Sequence, residues 1–179
     1  MWYDLPMAEE APGALMEPGR CSIARTLDFV GDRWSLLILR EASFYEVTRF
    51  EQLRTRLGIS KAVLTDRLEG LVEHGILERT PYQPPGERIR HEYKLTAAGS
   101  ELFPVLVALL EWGDKHRNEG LAPITLTHTD CGATVTGGLT CANGHHVDQT
   151  EVEPKAGPGL RHGSKRPRLR AGNRTRTAA

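Results

Sequence analysis

The sequence predicts a mainly α-helical domain with one small β-hairpin, followed by a small β-rich, ribbon-like extension. Three observations carry this. Apolar residues recur at helical spacing in four successive segments between Ser22 and Glu73. One stretch, IRHEYKL, alternates with period two behind a PPGE turn. Beyond Gly120 both signals give way to a polar, Gly- and Thr-rich run, HTDCGATVTGGLTCANGHHV, that suggests two small hairpins.

The first helix is expected behind a Ser22 cap, with Ile23, Leu27 and Val30 at helical spacing and Gly31 as its stop. Asp32 can cap a second, RWSLLILREA, with Trp34, Leu37 and Ile38 facing a core. A third is expected from Thr48, where T-R-F-E has the form of a capping box between Thr48 and Glu51, with Phe50, Leu53 and Leu57 on its apolar side. Gly58 stops it, and Ile59 and Ser60 lead directly into KAVLTDRLEGLVEHG. Leu64, Leu68, Leu71 and Val72 of this fourth helix fall within about 80° of one another on a helical wheel. Two short helices joined by a tight Gly-containing turn form a helix-turn-helix pattern. The strand ILERTPY, the turn and IRHEYKL then make a hairpin. Ile89, His91, Tyr93 and Leu95 are expected on its inner face, and Arg88, Arg90, Glu92 and Lys94 on its outer face. Together these elements give a winged helix-turn-helix.

Thr96 is expected to cap a last helix, AAGSELFPVLVALLEWGDKH, which Pro104 should bend or else open as its first turn. From Leu102 to Leu110 every residue is apolar. A helix apolar all round must be buried all round, and a domain this small covers only one side, so a second subunit is expected on the other.

The chain of 179 residues suffices for one domain plus an appendage, and 39% hydrophobic content permits a core. No run of 18 apolar residues exists and no basic start leads into an apolar stretch, so neither a membrane span nor a secretory signal is expected, which points to the cytoplasm. Three cysteines, an odd number, argue against a disulfide framework. The net charge of zero hides an asymmetry. Residues 1–154 carry 15 basic and 23 acidic side chains, residues 119–154 carry no Lys or Arg, and residues 155–179 carry eight Lys or Arg and no acid. The expected organisation is a flexible arm over 1–19, the winged-helix domain over 20–118, a possible zinc-ribbon-like extension over 119–154 and a disordered basic tail over 155–179.

The fourth helix begins small, polar and basic. Such a start enters a major groove, where Lys61 reaches a guanine and Thr65 meets a phosphate or a thymine methyl, with Ala62 beside them. Ser60 and Arg67 are placed at phosphates and Arg88 and Arg90 of the hairpin along the adjacent backbone or minor groove, and Arg49 is counted among the DNA-binding residues. The alternative is a surface helix with a solvated face. No Walker loop, dinucleotide fingerprint or nucleophile elbow appears, so no enzyme and no catalytic residue is expected.

Five blocks occur in order: CSIARTLDFVGDRWSLLILREA, FYEVTRFEQL, LGISKAVLTDRLEGLVEHGILER, RHEYKLTAAG and the late Trp112-Gly113-Asp114. Over residues 20–118 the chain resembles the HxlR-type winged-helix transcription regulators. The resemblance implies a cytoplasmic homodimer on a palindromic double-stranded DNA operator, with the terminal helices forming the dimer. Two positions depart from the pattern. Glu46 stands where glycine is usual, so that turn is expected to differ, and His91 replaces an aliphatic residue.

Two further sites stand apart. Cys21, between Arg20 and Arg25 near a helix start, is placed where the thiolate is favoured and could sense oxidants; the alternative is a packed small residue. His128-x2-Cys131 and Cys141-x3-His145, nine residues apart, have the donors of a closed structural Zn2+ site, with His146 as a substitute donor. The alternative there is chance placement. The basic tail either adds phosphate contacts or is a solvated extension. Two functions compete: a DNA-binding regulator, and a protein-interaction scaffold that dimerises through the winged helix and docks through the ribbon. Near-neutrality over 20–118, with 15 basic and 14 acidic residues, favours the scaffold mildly. The basic hairpin and slim helix start favour DNA.

Overall fold

A computed structural model describes residues 21–155. The expected arm over 1–19 and the expected tail from 156 onward lie outside the described residues. Helices α1 (Ser22–Val30), α2 (Arg33–Tyr45), α3 (Phe50–Leu57) and α4 (Lys61–Glu73) precede an antiparallel hairpin of β1 (Leu77–Tyr82) and β2 (Arg90–Leu95). Helices α5 (Ala97–Ser100) and α6 (Phe103–Arg117) follow, then a minimal hairpin of β3 (Leu139–Thr140) and β4 (His146–Val147). No helix among the described residues is long and apolar enough to cross a membrane.

Local chemistry sets most boundaries. The Asp32 carboxylate accepts from the Trp34 and Ser35 amides at 2.8 and 3.2 Å and starts α2. The Ser60 hydroxyl accepts from the Val63 amide at 3.3 Å and starts α4. Gly58, at φ 62°, ends α3 in the left-handed region open to glycine. Glu46 ends α2 at φ 53° in the same region, which is why its departure from glycine matters.

Several expectations are corrected. Thr48 does not cap α3; the N-cap is Arg49, with no side-chain cap. The Thr48 carbonyl instead accepts from the Tyr93 amide at 2.8 Å, and Arg49 pairs with Glu92 as an isolated antiparallel bridge beside β2. That pairing also shields Glu92, whose side chain is 18% exposed rather than outward. Ser22 is the first residue of α1 rather than its cap, a role Cys21 fills through its backbone. The last helix is two: Thr96 caps α5, and α6 opens anew with Pro104 in its first turn, since proline has no amide and clashes with the carbonyl four residues back.

The core gathers Ile38 and Leu39 of α2, Leu53 of α3, and Leu64, Leu68 and Leu71 of α4, closed by Leu77 and Leu106. Of the three apolar residues at helical spacing in α1, Ile23 and Leu27 are 71% and 54% exposed, and only Val30 is buried. Leu37 is half-buried outside the cluster, and Ile89 precedes β2 and is exposed.

Helix α6 has three sides. Leu106 faces the core. One flank carries Val107 and Glu111, against which the extension packs: the Gly137 amide donates to Glu111 Oε1 at 3.0 Å, and a β-carbon on Gly137 would lie 3.7 Å from Val107. The opposite flank, Val105, Leu109 and Trp112, is 49–55% exposed. The extension thus covers part of the apolar surface expected to need a partner, and one stripe remains.

Candidate functional site

The α3–turn–α4 unit is held from behind by α2. Glu41, 2% exposed, pairs with Arg40 of its own helix and with Arg56 Nε of α3 at 2.5 Å. Arg56 also lies over the Tyr45 ring at 4.7 Å. A buried carboxylate is tolerable only when paired in this way. Sequence reasoning missed Glu41, although its place three residues after Ile38, on the buried face of α2, was a readable signal.

A second tie joins α2 to α4. Arg67 Nε lies 3.2 Å from Asp32, and Arg67 also binds Asp66 at 2.9 Å. The Arg67 Nε has no aligned hydrogen-bond acceptor, so the link to Asp32 is ionic. Partial burial pushes the Asp32 carboxyl up, but hydrogen bonds from the Ser35 hydroxyl and amide and the Trp34 amide, with the Arg67 charge, outweigh it and hold the carboxyl below its ordinary 3.8. Arg67, expected at phosphate, is therefore engaged within the chain.

At the start of α4, Lys61 and Ala62 are exposed and Thr65 is half-buried, with Val63, 36% exposed, between them. Lys61 makes no ion pair or hydrogen bond among the described residues. A cleft of about 580 Å³ opens between the start of α3 and the hairpin, bringing together Arg49, Gln52, Tyr82 and Arg90. The Arg49 guanidinium stacks on Tyr82 at 4.8 Å, a partner the sequence did not reveal because it lies 33 residues away. Arg90 is paired with Glu87, whereas Arg88 is exposed and unpaired among the described residues. His91 accepts a contact from Arg79 at 3.0 Å, which occupies the ring that stands in place of an aliphatic residue. A small basic helix start suits base edges, and a cleft holding cations and an aromatic ring suits phosphate.

The four-ligand zinc site is corrected. His128 Nδ1 and Cys131 Sγ meet at 3.2 Å beyond the Thr127–Thr134 bridge. Cys141 and His145 sit in the other hairpin, closed by the Cys141 amide to the His145 carbonyl at 3.0 Å. Among the described residues no three His, Cys, Asp or Glu side chains group as a metal site. Spacing fixes each pair within its own turn, but the turns belong to separate hairpins and do not converge. Hydrogen bonds from the Asn143 and His145 amides hold the Cys141 thiol below its ordinary 9.0. Cys21 is half-buried just before α1.

A family model for HxlR-like helix-turn-helix proteins matches residues 29–120. An uncharacterised HTH-type transcriptional regulator of Mycobacterium bovis is 46% identical over 143 residues, spanning 78% of this chain and 88% of its own. A second uncharacterised HTH-type regulator, from Synechocystis, is 42% identical over 94 residues, spanning 52% of this chain and 67% of its own. The crystal structure of a proposed transcription factor is 36% identical with a TM-score of 0.65, covering 75% of this chain and 94% of that one. A proposed transcription factor from Pseudomonas aeruginosa is 36% identical with a TM-score of 0.55, covering 77% and 93%.

Proposed function

The chain belongs to the HxlR-like helix-turn-helix family and is a transcriptional regulator of the helix-turn-helix type, not an enzyme; from that premise we propose that it acts in the cytoplasm as a homodimer on a palindromic site in double-stranded DNA. The observation that carries the DNA reading is the start of α4. Its three core leucines fix the helix, while Lys61, Ala62 and Thr65 are left accessible. Ser60 and Arg49 flank it as phosphate donors, and Arg88 extends the contact from the hairpin. Arg67 and Arg90 support those contacts through their internal ion pairs, and reach phosphate only by exchanging them.

Two exposed stripes support the homodimer: Ile23 and Leu27 of α1, and Val105, Leu109 and Trp112 of α6. A self-complementary interface built on both presents α4 twice, one helical turn of DNA apart, roughly 34 Å. Redox gating is assigned to Cys21, since a half-buried thiol at the foot of α1 changes that stripe when oxidised. Its test is oxidant-dependent release of DNA that disappears in Cys21→Ser.

The deciding measurement is a salt series on one bound genomic fragment. Lys61→Ala is expected to cost about 1–3 kcal/mol and to relax preference at one base pair. Arg88→Ala is expected to weaken all sequences alike and reduce the salt slope by about one unit. A scaffold that docks proteins through the extension leaves both variants unchanged, and that result would overturn the DNA reading.

A further inference from the structure

Four guanidinium groups lie over aromatic rings among the described residues: Arg33 on Trp34, Arg49 on Tyr82, Arg56 on Tyr45 and Arg117 on Trp112. Two of these contacts join separate elements. Arg56 ties α3 to α2 and is fixed there by Glu41 as well. Arg49 ties the N-cap of α3 to Tyr82, the last residue of β1. The carboxylates near it are already engaged: Glu51 pairs with Arg54 at 2.9 Å, Glu92 with Lys94 at 2.6 Å, and Glu87 with Arg90. Its backbone is fixed by the bridge to Glu92 and by the bond between the Tyr93 amide and the preceding Thr48 carbonyl. Arg49 therefore has an anchored backbone, a stacked face and no anionic partner among the described residues.

A guanidinium stacks with its flat face and donates hydrogen bonds from its edge. An arginine held by a carboxylate has that edge occupied. One held by a ring keeps its N–H donors free in one plane, the geometry that grips two phosphate oxygens together. Tyr82 is half-buried and Arg49 exposed, so the ring backs the guanidinium and leaves its edge open in the cleft shared with Gln52 and Arg90. We propose that Tyr82 is a positioning residue for DNA binding: its ring holds Arg49 edge-outward as a phosphate fork and, through it, seats the hairpin against the start of α3. This rests on the DNA reading above. A loose arginine loses rotamer freedom when it grips a phosphate, and stacking removes part of that loss before DNA arrives. The same stack makes the phosphate contact of α3 and the placement of the hairpin one event, since Tyr82 stands opposite Arg90 in the register of β1 and β2.

The test titrates variants of the full chain with the bound genomic fragment and with random-sequence duplex between about 50 and 200 mM salt. Arg49→Gln is expected to weaken binding to both about tenfold, the effect of losing a charge-assisted hydrogen bond. It should also lower the slope of log affinity against log salt by about one unit. Tyr82→Leu removes the ring and should weaken both duplexes about two- to fivefold, the range of an exposed cation–aromatic contact. Tyr82→Phe keeps the ring and should bind as the parent does. In the Arg49→Gln background Tyr82→Leu should add nothing, because the group it positions is gone. An equal loss in both backgrounds means that Tyr82 only supports the hairpin, and overturns the proposal. So does a Tyr82→Phe protein as weak as Tyr82→Leu. Should Tyr82→Leu lose its fold by circular dichroism, Arg49→Lys decides: it keeps the charge and the slope but has neither flat face nor fork, so affinity should fall, and binding as tight as the parent's overturns the proposal. If the parent binds neither duplex, the DNA reading fails and this inference with it. If Lys61→Ala weakens binding while Arg49→Gln does not, this inference alone fails.

Discussion

Leu106 and Leu109 lie three residues apart on α6, yet the same substitution should do different things to them. Leu109 is 50% exposed. Full burial of a leucine is worth about 1.5–3 kcal/mol, so the half still to be buried in a dimer is worth about 1 kcal/mol per protomer. A twofold interface contains the residue twice, which gives about 2 kcal/mol. Leu109→Glu adds two carboxylates to an apolar contact, at a further cost of at least about 1 kcal/mol. A loss of about 3 kcal/mol raises the dimer dissociation constant by about 100-fold or more. Sedimentation equilibrium reads that constant directly, and circular dichroism should show an unchanged protomer because Leu109 is outside the core. Leu106→Glu buries the same charge at a site 6% exposed, among the core leucines. There the protomer itself should unfold or aggregate. A folded Leu109→Glu protein whose dimer constant stays within threefold of the parent would refute the assignment of this stripe to a second copy.

Three further outcomes concern the frame around α4. Glu46→Gly removes a left-handed side chain at φ 53°; the relief of about 1–2 kcal/mol is offset in part by unfolded-state entropy, so urea unfolding should show a net gain of about 0.5–1 kcal/mol. Asp32→Ala should lose about 1 kcal/mol as a helix cap at neutral pH. Because the folded carboxyl is held below 3.8, that stability is fully present above this value and is lost as pH falls through the lower folded one, so the difference between parent and variant should close in acid unfolding curves. Gly99→Ala places a β-carbon 2.2 Å from the Ile76 carbonyl oxygen; with backbone that cannot yield, the variant should be destabilised by about 2–3 kcal/mol in thermal or urea unfolding.

What could be read from the sequence was what depends on neighbours along the chain. Asp32 and Ser60 cap the helices they precede, Gly58 ends one, and Leu64, Leu68 and Leu71 reach the core, because each outcome is decided within a few residues. The misreadings share the opposite cause. Thr48 has the sequence of a cap but spends its carbonyl on Tyr93, 45 residues away. Arg67 points along an exposed part of α4 but meets Asp32. His128 and Cys131 meet as spacing demands, and the second pair fails to join them because only tertiary packing could turn the hairpins together. Ile23 and Leu27 have the period of a core helix, and period does not say whether the covering surface belongs to the same chain.

The contacts outside the sequence reading are also those that make one body of the parts. Asp32 at the start of α2 holds Arg67 of α4, and Glu41 near its end holds Arg56 of α3. Phe44 meets Phe103 of α6 edge-on at 5.5 Å, so the helix with the exposed stripe is seated on the same α2. Helix α1 touches the far end of α4, where Phe29 stacks on His74 at 4.8 Å. Both helices whose apolar faces stay exposed among the described residues therefore bear on the helix-turn-helix, α6 through α2 and α1 directly. Closely packed interiors transmit displacement rather than absorb it. A change in how two copies meet at α1 and α6 would therefore alter the angle and separation at which α4 is presented, with no change inside α4 itself.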